Sequence, residues 1–194
     1  MPELNTELIN RAKQGDSAAI EELVSKVRKP LFHYACNFLG SDFEAEDITQ
    51  EVLVKAIRAL PKFKGDSTLW TWLFRIMTNA CIDYQRKNAS RLILHLAKFN
   101  GEEEGAVTSE PRDPGRTPEE QAELSELREE IQAALLQLSS QHRLIVILHD
   151  IYCFKYQEIS VITGAGLGTV KSRLFYARRE LREILGPRLA KDQR

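Results

Sequence analysis

The chain has 194 residues, 43% of them hydrophobic, and a formal net charge of −1. This apolar fraction argues against wholesale disorder, and the length suits one medium domain or two small ones. The sequence shows no signal peptide and no apolar run of about 18 residues, so we expect a cytoplasmic protein without membrane insertion. Three cysteines, far apart in the chain, argue against a disulfide framework, and we expect Cys36, Cys81 and Cys153 to be buried in helices.

Helical periodicity dominates the first 93 residues. Gly15 ends a first predicted helix over Leu4–Gln14, and Asp16 or Ser17 caps a second that extends to Phe38. A third is predicted over Glu44–Leu60. Ser67 or Thr68 caps a fourth, from Leu69 to about Lys87.

The middle of the chain is acidic, since residues 94–123 hold eight acidic and three basic side chains. Apolar periodicity is absent from Asn100 to Pro118, which predicts a flexible linker. The Thr117-Pro118 pair then starts another helix, and Ser139 or Ser140 caps the next. The first of these two helices carries an apolar stripe of Leu124, Leu127, Ile131, Leu135 and Leu138.

No alternating strand pattern is visible. We therefore predict an all-α fold of two small helical domains, residues 1–93 and 119–194, joined by a flexible acidic linker, residues 94–118. The second domain is expected to be a helix-turn-helix.

The segment Tyr156–Leu181 predicts that helix-turn-helix. Gly164 stands where a helix end needs a residue tolerant of positive φ. The following helix repeats apolar residues at spacings of three and four, and Leu167–Arg182 holds five basic side chains against one acidic. Such a helix suits a DNA major groove, and a helical hairpin with a solvated basic face is the alternative.

Two sets of motifs resemble bacterial sigma factors. The segments Glu46–Val52, Phe63–Ser67 and Thr71–Asn79 resemble their promoter-melting domain, and Leu167–Leu174 with Ala177-Arg178 resembles their −35 helix-turn-helix. The order of the motifs, the linker and the length are similar to the extracytoplasmic-function subgroup, which keeps these two domains. The resemblance covers almost the whole chain outside the linker. It implies a transcription initiation factor rather than an enzyme.

Asp47, Gln50 and Glu51 share one face of the third predicted helix, because spacings of three and four bring side chains together. The resemblance implies that this face contacts the β′ clamp of RNA polymerase core. The alternative is a solvated helix start that is rich in acids.

The fourth predicted helix and the loop before it combine aromatic and polar side chains. Holding an unpaired base needs an aromatic surface and hydrogen bonds to the base edge. Trp70 and Trp72 point about 200° apart on a helix, so we expect one to be buried and the other more exposed. By resemblance, the −10 strand would contact Phe63, Lys64, Ser67, Trp72, Arg75, Asn79, Arg86 and Lys87, with Arg91 also near phosphates.

The start of the last helix should read base edges of the −35 element, with Thr169, Lys171, Ser172 and Arg173 as candidates. Arg178 and Arg179 lie further along, where they would hold backbone phosphate or the β flap of the polymerase. The sequence departs from the family at Ala165 and Gly166, where a branched apolar residue and Ser or Pro are usual. We expect a looser turn there.

We expect no metal or other cofactor. His33 with Cys36 and His149 with Cys153 have one-turn spacing, but a structural zinc needs four ligands. The resemblance implies RNA polymerase core, promoter DNA and an anti-sigma factor as partners. A helix-turn-helix regulator with a ligand- or protein-sensing N-terminal domain is the alternative, and a helical adaptor without DNA binding is a third.

Overall fold

A computed structural model describes the backbone of residues 1–96 and 118–189, and the side chains of 1–88 and 124–186. No strand occurs in these ranges, which agrees with the predicted all-α fold. Most of the predicted linker lies outside the described residues. The described α-helices are α1 (Thr6–Lys13), α2 (Ser17–Leu39), α3 (Asp42–Ala59), α4 (Leu69–Leu96), α5 (Pro118–Gln137), α6 (Ser140–Val146), α7 (Tyr156–Thr163) and α8 (Leu167–Leu189).

Short polar side chains fix where several helices begin. The Asp16 carboxylate accepts hydrogen bonds from the backbone N–H groups of Ala18 and Ala19, and Ser139 does the same for His142. Thr68 caps α4 by accepting from the N–H of Thr71 at 3.1 Å. The helix α4 continues to Leu96, nine residues past the predicted end, because no glycine or proline interrupts it.

The core of the first domain lies between α2, α3 and α4. Leu31, Val52 and Phe74 are fully buried there, as is Tyr34, whose hydroxyl shares a 2.8 Å hydrogen bond with Thr78. Burial raises the pKa of Tyr34 well above its usual value. The bond satisfies a phenol that would otherwise be costly to bury.

The second domain packs α5 to α8 around Ile145, Leu148 and Ile159. The stripe predicted on α5 is buried only at its C-terminal end, by Leu135 and Leu138. Leu127 and Ile131 are exposed. These residues lie toward the N-terminal part of α5, away from its buried end.

The two domains pack against each other through aromatic rings. The ring of Phe74 on α4 lies 4.8 Å from that of Tyr152 and 4.9 Å from that of Phe154, both in edge-on arrangements. The Tyr152 hydroxyl also donates to the carbonyl of Pro30 at 2.8 Å. Edge-on aromatic pairs contribute about 0.5–1.5 kcal/mol each beyond their area burial.

Tyr152 and Phe154 reach the first domain because the helix after α6 changes its winding. Residues Ile147–Ile151 form a π-helical turn, and the chain then leaves the helix. Cys153 lies in this exit with φ of 58° and is exposed. The expectation that all three cysteines are buried in helices is therefore wrong for Cys153, although Cys36 and Cys81 are buried. Burial raises the pKa of the Cys81 thiol to about 12.

A buried arginine joins both domains. The Arg143 guanidinium donates to the carbonyl of Phe38 at the end of α2, and to those of Leu135, Leu136 and Leu138 at the end of α5. Carbonyls at helix ends have no partner within their helix, so one cation satisfies four acceptors. Burial lowers the pKa of Arg143, which nevertheless stays charged at neutral pH.

We predict that Arg143→Met lowers the free energy of unfolding by about 2–4 kcal/mol, because buried carbonyls lose a charged donor. Urea unfolding measures this. Arg179→Met, at an exposed arginine 3.9 Å from Glu183, is the control and should change stability by less than about 0.5 kcal/mol. Equal effects of the two changes would contradict the bridging role of Arg143.

Candidate functional site

The predicted polymerase-facing side chains Asp47, Gln50 and Glu51 are all exposed on α3. Gln50 donates to Glu46 at 2.9 Å, and Arg28 donates to the same carboxylate oxygen at 2.6 Å. These bonds, first from Gln50 and then from Arg28, lower the pKa of Glu46. The amide of Gln50 is thereby oriented before any partner arrives.

Two apolar side chains on the same face of α3 were missed by the sequence reasoning. Phe43 is 79% exposed and Val54 is 47% exposed. Spacings of four, three and four residues separate Phe43, Asp47, Gln50 and Val54, so these side chains share one face of α3. That spacing was the available signal. Exposed aromatic side chains beside polar ones are typical anchors of protein interfaces.

The outer face of α4 carries the predicted −10 residues. Arg75, Asn79 and Arg86 are exposed and follow each other at helical spacings from half-buried Trp72. Arg86 lies 3.5 Å from Asp83, an exposed ion pair of little energetic weight. Lys87 is exposed beside this stripe, whereas the side chain of Arg91 lies outside the described residues.

The α3–α4 loop (Phe63–Thr68) begins against the same stripe. The ring of Phe63 lies 5.3 Å from that of Trp72, tilted by 45°. Lys64 is exposed, and Ser67 donates to the carbonyl of Thr68 at 3.3 Å. The structure thus brings the loop and the start of the α4 stripe together.

Both tryptophans are half-buried, so the expectation that one of them is buried is wrong. The Trp70 indole donates to the carbonyl of Pro2 at 3.1 Å, and its ring packs 6.0 Å from that of Phe74. Trp72 packs against Phe63 on the other side of α4. The N-terminal segment that covers Trp70 is distant in sequence, and helix geometry alone gives no sign of it.

The helix-turn-helix has the predicted form. Gly164 ends α7 in the left-handed region with φ of 70°, and its N–H donates to the carbonyl of Ser160. Ser160 Oγ donates to the carbonyl of Ala165 at 2.6 Å, while the N–H of Ala165 donates to Thr163 Oγ1 at 3.2 Å. Polar contacts therefore close the turn that lacks the usual apolar anchor.

One side of α8 is buried and the other is open. Val170, Leu174 and Ala177 lie in the core, whereas Thr169, Lys171 and Ser172 are exposed and Arg173 is half-buried. Ser172 Oγ donates to the carbonyl of Gly168. Burial of the apolar side fixes which residues of α8 meet a partner.

The sequence reasoning also missed an aromatic pair on α8. Phe175 is 66% exposed and Tyr176 is 49% exposed, and the guanidinium of Arg179 lies 5.3 Å from the Tyr176 ring centre. Large exposed aromatics next to basic side chains on a candidate recognition helix were the available signal. They extend the open face by one turn beyond Lys171.

Arg178 is held differently from Arg179. It forms an ion pair with Asp150, with its Nε 3.1 Å from Oδ2. Partial burial alone would raise the pKa of Asp150, but hydrogen bonds from Arg178 and His149 lower it below its usual value. Arg178 also lines a groove of about 410 Å³ with Lys171, Phe175, Arg179, Arg182, Leu174 and Tyr156.

Neither a metal-binding cluster nor a membrane-spanning helix is evident in the described part of the chain. No group of three or more His, Cys, Asp or Glu side chains there could hold a metal ion. Among its helices, none has both the length and the apolar character needed to cross a membrane.

An all-α molecule whose second domain is a helix-turn-helix with an open basic face is a DNA-binding protein in its class. Residues 14–91 match the sigma-70 region 2 family model, and residues 128–181 match the sigma-70 region 4 model. The chain belongs to the sigma-70 family and, within it, to the extracytoplasmic-function (ECF) RNA polymerase sigma factors.

Its relatives are alike over nearly their whole length. The chain is 32% identical to RNA polymerase sigma-H factor of Pseudomonas aeruginosa, covering 96% of each chain. It is 32% identical to ECF RNA polymerase sigma factor SigW of Bacillus subtilis, over 91% of this chain and 94% of that one. Sigma factors of this kind direct promoter-specific initiation by RNA polymerase, which is the function expected from the motifs.

Solved structures agree with the fold. The sigma factor RpoE in complex with the anti-sigma factor NepR from Bartonella quintana aligns with a TM-score of 0.69 and 27% identity, over 86% of this chain and 96% of that chain. CnrH in complex with the cytosolic domain of CnrY aligns with a TM-score of 0.66 at 23% identity, over 93% and 96%.

We predict that Ser160→Ala lowers the free energy of unfolding by about 1 kcal/mol, because the Ala165 carbonyl loses its donor. Hydrogen exchange should also speed up at the amides of Gly166–Thr169. Ser25→Ala, which removes a similar bond to the carbonyl of Glu22 on an exposed helix face, is the control. Unchanged exchange at the turn would contradict this account of how the turn is closed.

Proposed function

We propose that this chain binds RNA polymerase core through α3, holds the −10 strand with α4 and the α3–α4 loop, and reads the −35 duplex with α8. The observation that carries the proposal is the coexistence of two separate open faces that fall within the region 2 and region 4 matches of one family. One face is aromatic and amide-bearing, and the other is basic. Transcription is cytoplasmic in bacteria, and the proposal places the chain there.

The α4 face supplies what an unpaired base needs. Trp72 and Phe63 offer aromatic surface, and stacking on such surface is worth about 1–3 kcal/mol per base. The Asn79 amide can donate to and accept from a base edge, and Lys64 and Ser67 on the loop can donate further hydrogen bonds. Arg75, Arg86 and Lys87 add positive charge along the path of the phosphates.

The α8 face supplies what a duplex needs. Lys171 and Arg173 can donate to guanine, Thr169 and Ser172 can bond either kind of base, and Phe175 can contact thymine methyl groups. Arg179 and, once released from Asp150, Arg178 would contact phosphates or the β flap. The bond between Arg178 and Asp150 orients that guanidinium in the free protein.

The α3 face supplies a protein contact. Asp47 and Glu51 are acidic, Gln50 is oriented, and Phe43 and Val54 add apolar area at the two ends of the patch. This composition suits the β′ clamp of the polymerase core. RpoE of Bartonella quintana is solved with an anti-sigma factor, which supports an anti-sigma factor as a further partner of this chain.

The proposal requires the two domains to separate. The −35 and −10 elements are named for positions about 25 base pairs apart, or roughly 85 Å of DNA at about 3.4 Å per base pair. A compact unit of the described size spans only about 40 Å, from the scaling of radius of gyration with length. The packed arrangement therefore cannot read both elements at once.

We expect the purified chain with RNA polymerase core to open a matching promoter, as measured by permanganate reactivity of unpaired thymines on a promoter library. Asp47→Arg should weaken core binding by about tenfold or more, because it reverses a charge at the patch centre. Glu22→Arg, an exposed acid on α2 paired with Lys26, is the matched control and should bind core normally. Tight sequence-specific binding by the free chain, with no core-dependent opening, would instead favour a helix-turn-helix regulator.

A crosslink that prevents domain separation should block promoter binding. Thr71 Oγ1 on α4 lies 3.3 Å from Glu158 Oε1 on α7, so cysteines placed at both positions can be joined by a short thiol-reactive linker. In a Cys153→Ser background, we expect crosslinked Thr71→Cys/Glu158→Cys protein to lose specific initiation. The same double variant without linker is the control. Full activity after complete crosslinking would contradict the need for separation.

A further inference from the structure

The N-terminal segment Pro2–Lys13 contacts the chain on both sides of the α3–α4 loop. Lys13 Nζ donates to the carbonyl of Phe63 at 2.7 Å and lies 5.9 Å from the centre of the Phe63 ring. On the far side of the loop, the Trp70 indole donates to the carbonyl of Pro2 at 3.1 Å. The loop is thus bracketed by two bonds to residues 50 and 68 positions away in the chain.

Lys13 donates to a backbone carbonyl at the end of a short 3₁₀ helix. The 3₁₀ turn Leu60–Lys62 ends at Phe63, whose N–H donates to the carbonyl of Leu60. Carbonyls at such an end favour a cation. Gly65 then adopts φ of 83° with open space where a Cβ would lie, so no packing on that side holds the middle of the loop.

The segment lies before the part of the chain that matches the family model, which begins at residue 14. Lys13, at the C-terminal end of α1, is half-buried, and the Phe63 ring beneath it lies 5.3 Å from the Trp72 ring, tilted by 45°. A substitution of Lys13 can therefore alter the position of Trp72, because the Phe63 ring contacts both side chains. The backbone position of Lys13 is fixed, because Leu8 and Ala12 anchor α1 in the core.

We propose that Pro2–Lys13 braces the α3–α4 loop and that Lys13 is a positioning residue for capture of the unpaired −10 base. This inference rests on the proposed function. The ammonium group holds Phe63, and Phe63 holds the face of Trp72 and the loop entrance in the geometry that receives the base. A loop ordered before binding loses less conformational entropy when the base enters.

The test compares three full-length variants, each assembled with RNA polymerase core. Lys13→Met removes the donor and keeps the aliphatic stem, and Lys13→Arg keeps a cation that can donate. Arg11→Met removes a positive charge from the same helix, where Arg11 pairs with Asp16 at 2.7 Å. The measurements are core affinity, affinity for a −10 single-stranded oligonucleotide, permanganate reactivity, and hydrogen exchange of residues 64–68 in the free chain.

For Lys13→Met we expect about tenfold weaker oligonucleotide binding and a matching loss of open complex, since a bond to a charged donor typically has that weight. Exchange at residues 64–68 should accelerate, while core affinity stays unchanged. Lys13→Arg should restore binding to within about twofold, and Arg11→Met should resemble the wild type in every measurement.

Two kinds of failure are distinguishable. If the wild-type chain opens promoters and Lys13→Met opens them equally well, or if Arg11→Met causes the same loss, the role of Lys13 is overturned and the proposed function stands. If the wild-type chain with core opens no promoter, the proposed function fails and the role of Lys13 fails with it. Unchanged exchange at residues 64–68 in Lys13→Met overturns the brace whatever the promoter result.

Discussion

The ring of Phe74 is the point on which both domains depend. It lies in the core of the first domain beside Tyr34, at 5.2 Å, and it also receives Tyr152 and Phe154 from the second. Phe74 points to the opposite side of α4 from Asn79, because five residues of an α-helix span about 500°, or 140° beyond one full turn. Burying Phe74 between the domains therefore turns the candidate −10 face outward. The packing of this one ring sets both the closed arrangement and the orientation of a candidate functional surface.

The helices α3 and α8 are likewise buried on one side and open on the other. On α8, burial of Val170, Leu174 and Ala177 leaves Lys171 and Ser172 open, and on α3, burial of Ile48 and Val52 leaves Asp47 and Gln50 open. A helix held by one stripe cannot rotate without exposing apolar area, which costs about 25 cal/mol per Å². The core thus fixes the orientation of the candidate base-reading faces. Arg143 extends that rigidity across the domain boundary by satisfying carbonyls from α2 and α5 together.

Local signals in the sequence predicted most of the fold. The caps at Asp16 and Ser139, the glycine at 164 and the three-and-four spacing on α3 and α8 all act within one or two helical turns, so they can be read from neighbouring residues. The open faces of α3, α4 and α8 follow from the same spacing. Contacts between distant parts of the chain could not be read in this way. Pro2 meets Trp70, Tyr152 meets Pro30, and the π-helical turn at Ile147–Ile151 has no periodic signature, so the exposed Cys153 was assigned wrongly. The exposure of Leu127 and Ile131 on α5 could not be predicted either, because periodicity shows which side chains align and not whether a partner covers them.

The closed arrangement also bears on how strongly the chain can bind in the proposed function. A partner shifts a conformational equilibrium only by the difference in its affinity for the two states. A closed state favoured by about 2.8 kcal/mol would lower apparent affinity for promoter DNA about a hundredfold, since only the open fraction is competent. Two or three edge-on aromatic pairs and the bond from Tyr152 to Pro30 can supply that amount. The proposed polymerase contacts at Asp47 and Gln50 lie on α3, away from this interface, so they would act through the geometry that the core imposes on both domains. The aromatic contacts between the domains would then keep the free chain off DNA while Asn79, Lys171 and Ser172 stay exposed, because the closed state gives the two domains the wrong spacing.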